Sequence, residues 1–292
     1  MIDLFLNYLR YERYRSELTV VRYEGSLRSL QEYFESQEEG LDWTNIDADV
    51  IRGWMESLMD KGEKATTVNA DLSAVRSFYR FALARGLVKS DPAHHVLGPK
   101  KAKPLPQFVK EKEMDRLIDS EQWTDEYKDV RARTIIILLY ETGLRRAELV
   151  GLDDKDVDFA ARQIKVTGKR NKQRLVPFGD ELAEQLKKYM AVRDEQVERQ
   201  STALFLGSRG QRINAYAVYC IVKEQLTKVT SLKKRSPHVL RHSFATAMLN
   251  HEAGLESVRK LLGHESLETT EIYTHTTFEQ LKRVYKEAHP RG

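Results

Sequence analysis

The sequence predicts a mainly α-helical protein with two domains, the second of which contains a small antiparallel β-sheet. Apolar residues recur at helical spacing along most of the chain, whereas the short segments 163–167 and 173–177 alternate as strands. A proline-rich stretch near residue 105 interrupts the helical pattern and marks the predicted domain boundary. The chain has 292 residues, 41% of them apolar and 32% charged, which is typical of a globular protein with room for two cores.

Residues 1–98 are predicted to form the first domain, an all-helical one with four helices. Asp47 is a candidate N-cap for the third helix, and Gly86 is expected to end the fourth. We expect these side chains to face the core: Leu4, Phe5, Tyr8 and Leu9; Val20, Tyr23, Leu27, Leu30 and Phe34; Ile51, Trp54, Met55 and Leu58; Val68, Leu72, Val75, Tyr79 and Leu83.

One flank of the fourth predicted helix is polar. It carries Asn69, Ser73, Arg76 and Arg80. Hydrogen-bond donors on a helix of this kind suit DNA phosphates or base edges in a groove. An ordinary solvated flank is an equally good interpretation of the same residues.

A linker is predicted over residues 99–106, where three of the seven prolines lie. Its lysines, Lys100, Lys101 and Lys103, could follow a phosphate backbone. Charge is also uneven along the chain, because residues 1–60 hold 6 Lys/Arg against 13 Asp/Glu while residues 101–292 hold 35 against 28. Such a distribution indicates a polyanionic partner, although a solvated surface would look similar.

Residues 107–292 are predicted to form the second domain. Helices are expected at residues 111–120, 129–140, 181–194 and 214–227, and residues 204–206 look strand-like. Gly143 should end the second of these helices, after which a new helix carries Arg145 and, one turn on, Glu148. Glu148 could orient the arginine, or the two could form a surface ion pair of little energetic value.

Residues 236–275 concentrate basic and nucleophilic side chains, and six of the eight histidines lie in the last 55 residues. Pro237 suits the first turn of a helix that presents His238 and Arg241 on one face. The apolar side of that helix is predicted to comprise Leu240, Phe244, Met248 and Leu249. Gly263 is a candidate helix-ending residue that places His264 in a loop, and Ser266 is a candidate N-cap for a helix that carries Tyr273.

A metal site is not favoured. His238 and His242 have the spacing of a helical ligand pair, but no Glu adjoins His238 and Cys220 is the one cysteine of the chain. A single cysteine also excludes an internal disulfide and fits a reducing compartment. With no signal-like or membrane-length apolar segment in the sequence, we expect a cytoplasmic protein.

Five motifs in register resemble the tyrosine recombinase (phage integrase) family, most closely the bacterial Xer recombinases. They are Thr142 to Leu149, the hairpin around Gly168 and Lys169, His238 to Arg241, Leu262 to His264, and Ile272 with Tyr273. The resemblance spans essentially the whole chain. It implies a SAM-like core-binding domain followed by the recombinase catalytic fold.

The resemblance also implies roles for individual residues. Tyr273 matches the nucleophile, His238 the residue that accepts or positions its proton, and Lys169 the general acid. Arg145 and Arg241 match the pair that binds the nonbridging phosphate oxygens, His264 matches a further donor, and Glu148 a supporting acid. His242 and His275 fall outside the pattern.

The implied reaction is metal- and ATP-independent exchange of strands in double-stranded DNA at a short, partly palindromic site. It proceeds through a 3′-phosphotyrosine and a Holliday junction, within a homo- or hetero-tetramer that a DNA translocase could activate. A mobile-element integrase, a type IB topoisomerase and a non-enzymatic DNA binder remain alternatives. The amphipathic segment 277–288 could pack on its own domain or on a neighbouring subunit.

Overall fold

The computed structural model of the protein describes residues 1–101, 106–168, 172–263 and 275–291. The chain divides into two compact units, Met1–Pro104 and Leu105–Gly292. The predicted fold class, mainly helical with one small antiparallel sheet, is confirmed. Within the described ranges, no helix is long and apolar enough to cross a membrane.

The first unit contains α1 (Ile2–Asn7), which continues into a π-helical turn, followed by α2 (Glu17–Gln37), α3 (Ala48–Asp60) and α4 (Ala65–Ala84). The Asp47 carboxylate accepts hydrogen bonds from the backbone N–H groups of Asp49 and Val50, at 2.9 and 3.0 Å, and so caps α3 as predicted.

An aromatic cluster forms the centre of this unit. The ring of Phe78 lies 4.6 Å from the ring of Trp43 and 5.6 Å from that of Phe5, measured between centroids. Two of the expected core positions are wrong, since Leu4 and Leu83 are 57% and 44% exposed. Both lie near helix ends, where neighbouring side chains fill the inward positions instead.

The second unit is built around α6. Its helices are α5 (Glu111–Ile118), α6 (Tyr127–Thr142), α7 (Arg146–Gly151), α8 (Asp180–Gln196), α9 (Ala215–Val229), α10 (Pro237–Asn250), α11 (Leu255–Leu262) and α12 (His275–Ala288). The run Ile135 to Leu139 in α6 is fully buried, because α8, α9 and α10 all pack against this helix. In α10, Leu249 is exposed rather than inward as expected, since it lies in the last turn of the helix.

A three-stranded sheet of β1 (Val157–Asp158), β2 (Gln163–Thr167) and β3 (Gln173–Pro177) lies in the order β1-β2-β3, antiparallel throughout. The two longer strands have the predicted bounds. With only two residues, β1 is too short to show alternation in the sequence. The expected strand at residues 204–206 is wrong, because that segment makes only an isolated bridge from Leu206 to Arg212.

Helix α12 packs on its own unit. Leu281 and Tyr285 are buried in a cluster with Phe244 and Met248 of α10. The residues after α12 are also anchored, since the Arg291 guanidinium donates to the Glu181 carboxylate at 2.7 Å. In this single chain, the amphipathic segment therefore covers the core of its own unit.

Candidate active site

The turn between α6 and α7 requires glycine. Gly143 has φ +59°, in the left-handed region, and ends α6 as predicted. A Cβ at this position would lie 2.6 Å from Cδ1 of Phe244 and 2.8 Å from Cδ2 of Leu262. Both backbone conformation and close packing thus restrict the site to glycine, and the tight turn directs the next residues towards α10 and α11.

Arg145 lies at the start of α7, as its N-cap rather than inside the helix as predicted. Its Nη1 donates to Oε1 of Glu148 at 2.9 Å, and its Nη2 donates to the backbone carbonyl of Gly263 at 3.1 Å. The side chain is still 40% exposed. Arg145 is therefore held in place while its guanidinium remains accessible to a substrate.

Glu148 is a buried carboxylate shared by two arginines. Its side chain is only 4% exposed and also accepts hydrogen bonds from Arg174, so the pair with Arg145 is not a surface ion pair. Burial alone would raise its pKa, but the hydrogen bonds and positive charge of Arg174, with the hydrogen bonds from Arg145, lower the pKa to about 2. Glu148 therefore stays ionised throughout the neutral range.

Arg241 extends from α10 into the same region. The helix begins at Pro237, as predicted, and the Arg241 side chain is buried. Its Nη1 donates to the carbonyl of Gly143 at 2.6 Å and its Nη2 to the carbonyl of Leu262 at 2.7 Å. Burial, together with the positive charge of Arg145, lowers its pKa to about 10, which still leaves the guanidinium protonated at neutral pH.

His238 lies one turn before Arg241 on the same helix and is exposed. Partial desolvation of the ring lowers its pKa below the usual value, and the nearby charges of Arg146 and Arg241 lower it further. The imidazole is consequently neutral at physiological pH. In that state one ring nitrogen can accept a proton.

The C-terminal end of α11 collects three arginines. The carbonyl groups of the consecutive residues Leu261, Leu262 and Gly263 accept hydrogen bonds from Arg174, Arg241 and Arg145, respectively. Carbonyl groups at the end of a helix lack partners within the helix and carry its negative dipole end. Gly263 ends α11 at φ +63°, as predicted. The three carbonyl groups that bind the arginines therefore lie directly before His264 in the sequence.

Arg174 was not identified from the sequence. It lies on β3, and both its Nη atoms donate to Glu148, at 2.8 and 3.0 Å. One signal was available, because Arg174 and Val176 occupy the inward positions of the alternating strand. An arginine at such a position requires a buried acidic or carbonyl partner.

The base of the β2–β3 hairpin lies beside Glu148 and Arg174. A Cβ at Gly168 would lie 3.7 Å from Oε1 of Glu148 and 4.0 Å from Nη1 of Arg174. The backbone N–H of Gly168 donates to the carbonyl of Lys172 at 2.7 Å. The structure thus brings together Arg145, Glu148, His238, Arg241 and the hairpin base.

Four predicted site residues lie outside the described residues: Lys169, His264, Tyr273 and the linker residue Lys103. The candidate cap Ser266 lies outside them as well. Their roles stay predictions. In the part of the chain that the structure describes, no three His, Cys, Asp or Glu side chains are grouped to hold a metal ion.

The polar flank of α4 is partly engaged within its own unit. Asn69 donates to the carbonyl of Pro99 at 2.8 Å, and Arg76 donates to the carbonyls of Ala93 and Val96. These two side chains hold residues 93–99 against α4. Arg80 is exposed and lines a recess of about 370 Å³.

Three other predicted DNA contacts face solvent. Ser73 is exposed, with its hydroxyl donating to the carbonyl of Asn69 at 2.8 Å, and Lys100 and Lys101 are also exposed. A contact between these residues and DNA stays a prediction.

Comparison with known proteins covers both units. The Phage integrase family profile matches residues 107–280, and the profile of the Phage integrase N-terminal SAM-like domain matches residues 2–86. The chain belongs to the phage integrase family of tyrosine recombinases. The resemblance inferred from the five motifs is thereby confirmed.

Individual relatives of this recombinase align along its full length. Tyrosine recombinase XerC of Pelotomaculum thermopropionicum is 38% identical, covering 100% of this chain and 98% of the relative. Tyrosine recombinase XerD of Oceanobacillus iheyensis is 34% identical, with the same coverage. The solved XerH recombinase bound to its difH substrate is 22% identical with a TM-score of 0.73, covering 97% of this chain and 83% of that one, and supports the fold.

Proposed function

We propose that this recombinase cuts and rejoins DNA at a short, partly palindromic site and resolves chromosome or plasmid dimers, as an Xer-type enzyme. The full-length XerC and XerD relatives support the Xer-type role. The observation that carries the proposed cleavage of DNA is the convergence of Arg145 and Arg241 on the end of α11. Their guanidinium groups bind adjacent carbonyls, of Gly263 and Leu262, at 3.1 and 2.7 Å. Two fixed arginines side by side suit the nonbridging oxygens of one phosphodiester.

In the proposed cleavage step, the phenol oxygen of Tyr273 forms a bond to the scissile phosphorus while the bond to the 5′-oxygen breaks. The phenol proton passes to neutral His238, and Lys169 donates a proton to the departing 5′-oxygen. Arg145, Arg241 and His264 stabilise the negative charge that builds on the pentacoordinate phosphorus. The products are a 3′-phosphotyrosine and a free 5′-hydroxyl.

Rejoining reverses these bonds with a different nucleophile. The 5′-hydroxyl of the partner duplex attacks the phosphotyrosine, which releases Tyr273 and creates an exchanged strand within a Holliday junction. Because the covalent linkage conserves the energy of the phosphodiester, the cycle needs no ATP. We propose that these residues neutralise the phosphate without a divalent ion.

Two domains are proposed to share the DNA, residues 1–98 as the core-binding domain and residues 107–292 as the catalytic domain, joined by the linker 99–106. Arg80, Ser73 and the exposed linker lysines are candidate phosphate contacts. Affinity for DNA should therefore fall steeply with salt. A homo- or hetero-tetramer with a paralogous recombinase, acting in the cytoplasm on the nucleoid, completes the proposal.

A plasmid assay tests the reaction. A supercoiled plasmid carrying two directly repeated copies of the host's presumed resolution site is incubated with the recombinase, its presumed paralogue and, where required, the translocase. Two smaller circles, absent from a plasmid with a single site, are the expected product. Relaxation without exchange would instead indicate a type IB topoisomerase, and binding without cleavage would indicate a non-enzymatic DNA binder.

A further inference from the structure

We propose that Arg174 is a positioning residue for strand cleavage, holding Glu148 and the end of α11 so that Arg145 meets the scissile phosphate in a fixed geometry. The inference rests on the proposed function, because it assumes that Arg145 binds a nonbridging phosphate oxygen. It assigns a role to a residue outside the family motifs from which the site was predicted.

The first support is that the Arg174 guanidinium is fully engaged. Its Nη1 and Nη2 donate to the two carboxylate oxygens of Glu148, and its Nε donates to the carbonyl of Leu261 at 3.2 Å. The side chain is only 8% exposed, compared with 40% for Arg145. Because every nitrogen of Arg174 already donates to a group of the protein, the residue acts on substrate through other residues.

The second support is that Glu148 binds both Arg174 and Arg145, so the position of Arg174 determines where Arg145 is held. Oε1 of Glu148 accepts a hydrogen bond from Nη1 of both arginines, and Oε2 accepts the backbone N–H of Arg145 at 2.8 Å. A bidentate arginine–carboxylate pair fixes both the plane and the rotation of the carboxylate. The oxygen atoms that Arg145 binds are therefore placed by Arg174.

The third support lies at α11. A Cβ at Gly263 would be 3.1 Å from Cδ, Nε and Cζ of Arg174, so the end of the helix packs directly on this side chain. The carbonyl of Gly263 is the other partner of Arg145. Arg174 thus contacts both groups that hold Arg145, one through hydrogen bonds and one through packing.

Lysine cannot replace arginine in this arrangement. A single ammonium group lacks the planar fork that binds both carboxylate oxygens and a carbonyl at once. Arg174→Lys keeps the charge but should let Glu148 and Arg145 shift. Displacements of about 1 Å in a catalytic group reduce rates on the order of 100-fold.

The test measures single-turnover cleavage of a nicked suicide substrate at saturating DNA, together with DNA affinity. Arg174→Lys should slow cleavage about 100-fold while DNA affinity changes by less than about threefold. A second substrate carries a neutral methylphosphonate at the scissile position, in separated diastereomers. In the diastereomer that lacks the oxygen bound by Arg145, Arg174→Lys should slow cleavage by less than about tenfold, because that contact is already missing.

Arg193→Lys is the matched control. Arg193 is another buried arginine of the same unit, with bidentate contacts to Asp154 and Asp194. It has no contact with Arg145 or Glu148 among the described residues, so its replacement should affect stability and leave the ratio of rates on the two substrates unchanged. A slowing by Arg174→Lys that is equal on both substrates would show a general structural role and overturn the inference.

A double-mutant cycle covers the case in which Arg174→Lys fails to fold. Arg174→Gln and Glu148→Gln together remove both members of the buried pair, which avoids an unpaired buried charge. Because Arg174 holds Arg145 partly through Glu148, the double variant should lose less in cleavage rate than the product of the two single losses. Independent, multiplicative losses would overturn the inference.

Arg145→Lys separates this inference from the proposed function. If Arg145→Lys leaves cleavage of the ordinary substrate unchanged, the proposed role of Arg145 is wrong. Arg145→Lys is expected to slow cleavage of the ordinary substrate more than cleavage of the methylphosphonate diastereomer that lacks the oxygen bound by Arg145. If Arg145→Lys shows this difference and the Arg174 variants do not, only the positioning role of Arg174 is wrong.

Discussion

The guanidinium of Arg241 donates a hydrogen bond of 2.6 Å to the carbonyl of Gly143, the residue that ends α6. One arginine of the proposed phosphate pair thus stabilises the turn from which the other arginine extends. Gly143 precedes Arg145 by two positions, so any change in this turn displaces both arginines relative to each other. The relative placement of Arg145 and Arg241 therefore depends on Gly143 as well as on the two arginine side chains.

Gly143→Ala should therefore lower both stability and cleavage. A left-handed alanine costs about 1–2 kcal/mol, and the new Cβ would overlap Phe244 and Leu262, which adds about 1–3 kcal/mol. Denaturant unfolding and single-turnover cleavage are the measurements. Gly86→Ala is the control, because Gly86 also has positive φ but a Cβ there would meet nothing within 4 Å. It should show the backbone cost alone, and equal stability losses in the two variants would contradict the packing argument.

His238 predicts a particular pH dependence of cleavage. Partial desolvation of the ring and the charges of Arg146 and Arg241 lower its pKa. The ring therefore stays neutral below the pH at which an ordinary histidine becomes protonated, and cleavage should persist there. Arg146→Gln removes one of these charges and should move the acid limb of the pH–rate profile to higher pH. Arg146→Lys keeps the charge and should leave the limb in place. A limb that responds to neither variant would show that another group controls it.

Glu141 links α6 to α12 and predicts a pH-dependent stability. Its Oε2 accepts a hydrogen bond from the Tyr285 hydroxyl at 3.1 Å, and within the described residues its Oε1 has no hydrogen-bond partner. Burial raises its pKa from 4.5 to about 8, and the negative charge of Glu181 adds to the effect. The folded state therefore holds a proton that the unfolded state releases above about pH 4.5.

The contribution of Glu141 to stability is full below pH 4.5 and falls as pH rises to about 8, by a few kcal/mol in order of magnitude. Urea unfolding across this range should show the decline in wild type and a flatter curve in Glu141→Gln. The same slope in both proteins would assign the pH dependence to other groups.

Local sequence patterns predicted the elements that depend on local chemistry. Asp47 as a cap, Gly143 and Gly263 as helix ends, and the bounds of β2 and β3 each follow from one residue type or one short period. The errors at Leu83 and Leu249 have a different origin. They lie at helix ends, where tertiary packing rather than helical periodicity decides which side chains are buried.

The arrangement around Glu148 could be predicted only in part. The pairing with Arg145 follows from a spacing of three residues, but the contacts of Arg174 with Glu148 and Leu261 join positions 26 and 87 residues apart. No local period encodes such contacts. Similarly, the donors of Asn69 and Arg76 looked available for DNA because their partners, in residues 93–99, lie far along the chain.

The covalent step is tested most directly by incubating the recombinase with a nicked suicide substrate in the presence of EDTA and resolving the products under denaturing conditions. Wild type should form a denaturation-resistant protein–DNA adduct. Tyr273→Phe should form none, and Tyr216→Phe, which alters an exposed tyrosine of α9, should form as much as wild type. An adduct that persists in Tyr273→Phe would contradict the assignment of Tyr273 as the nucleophile.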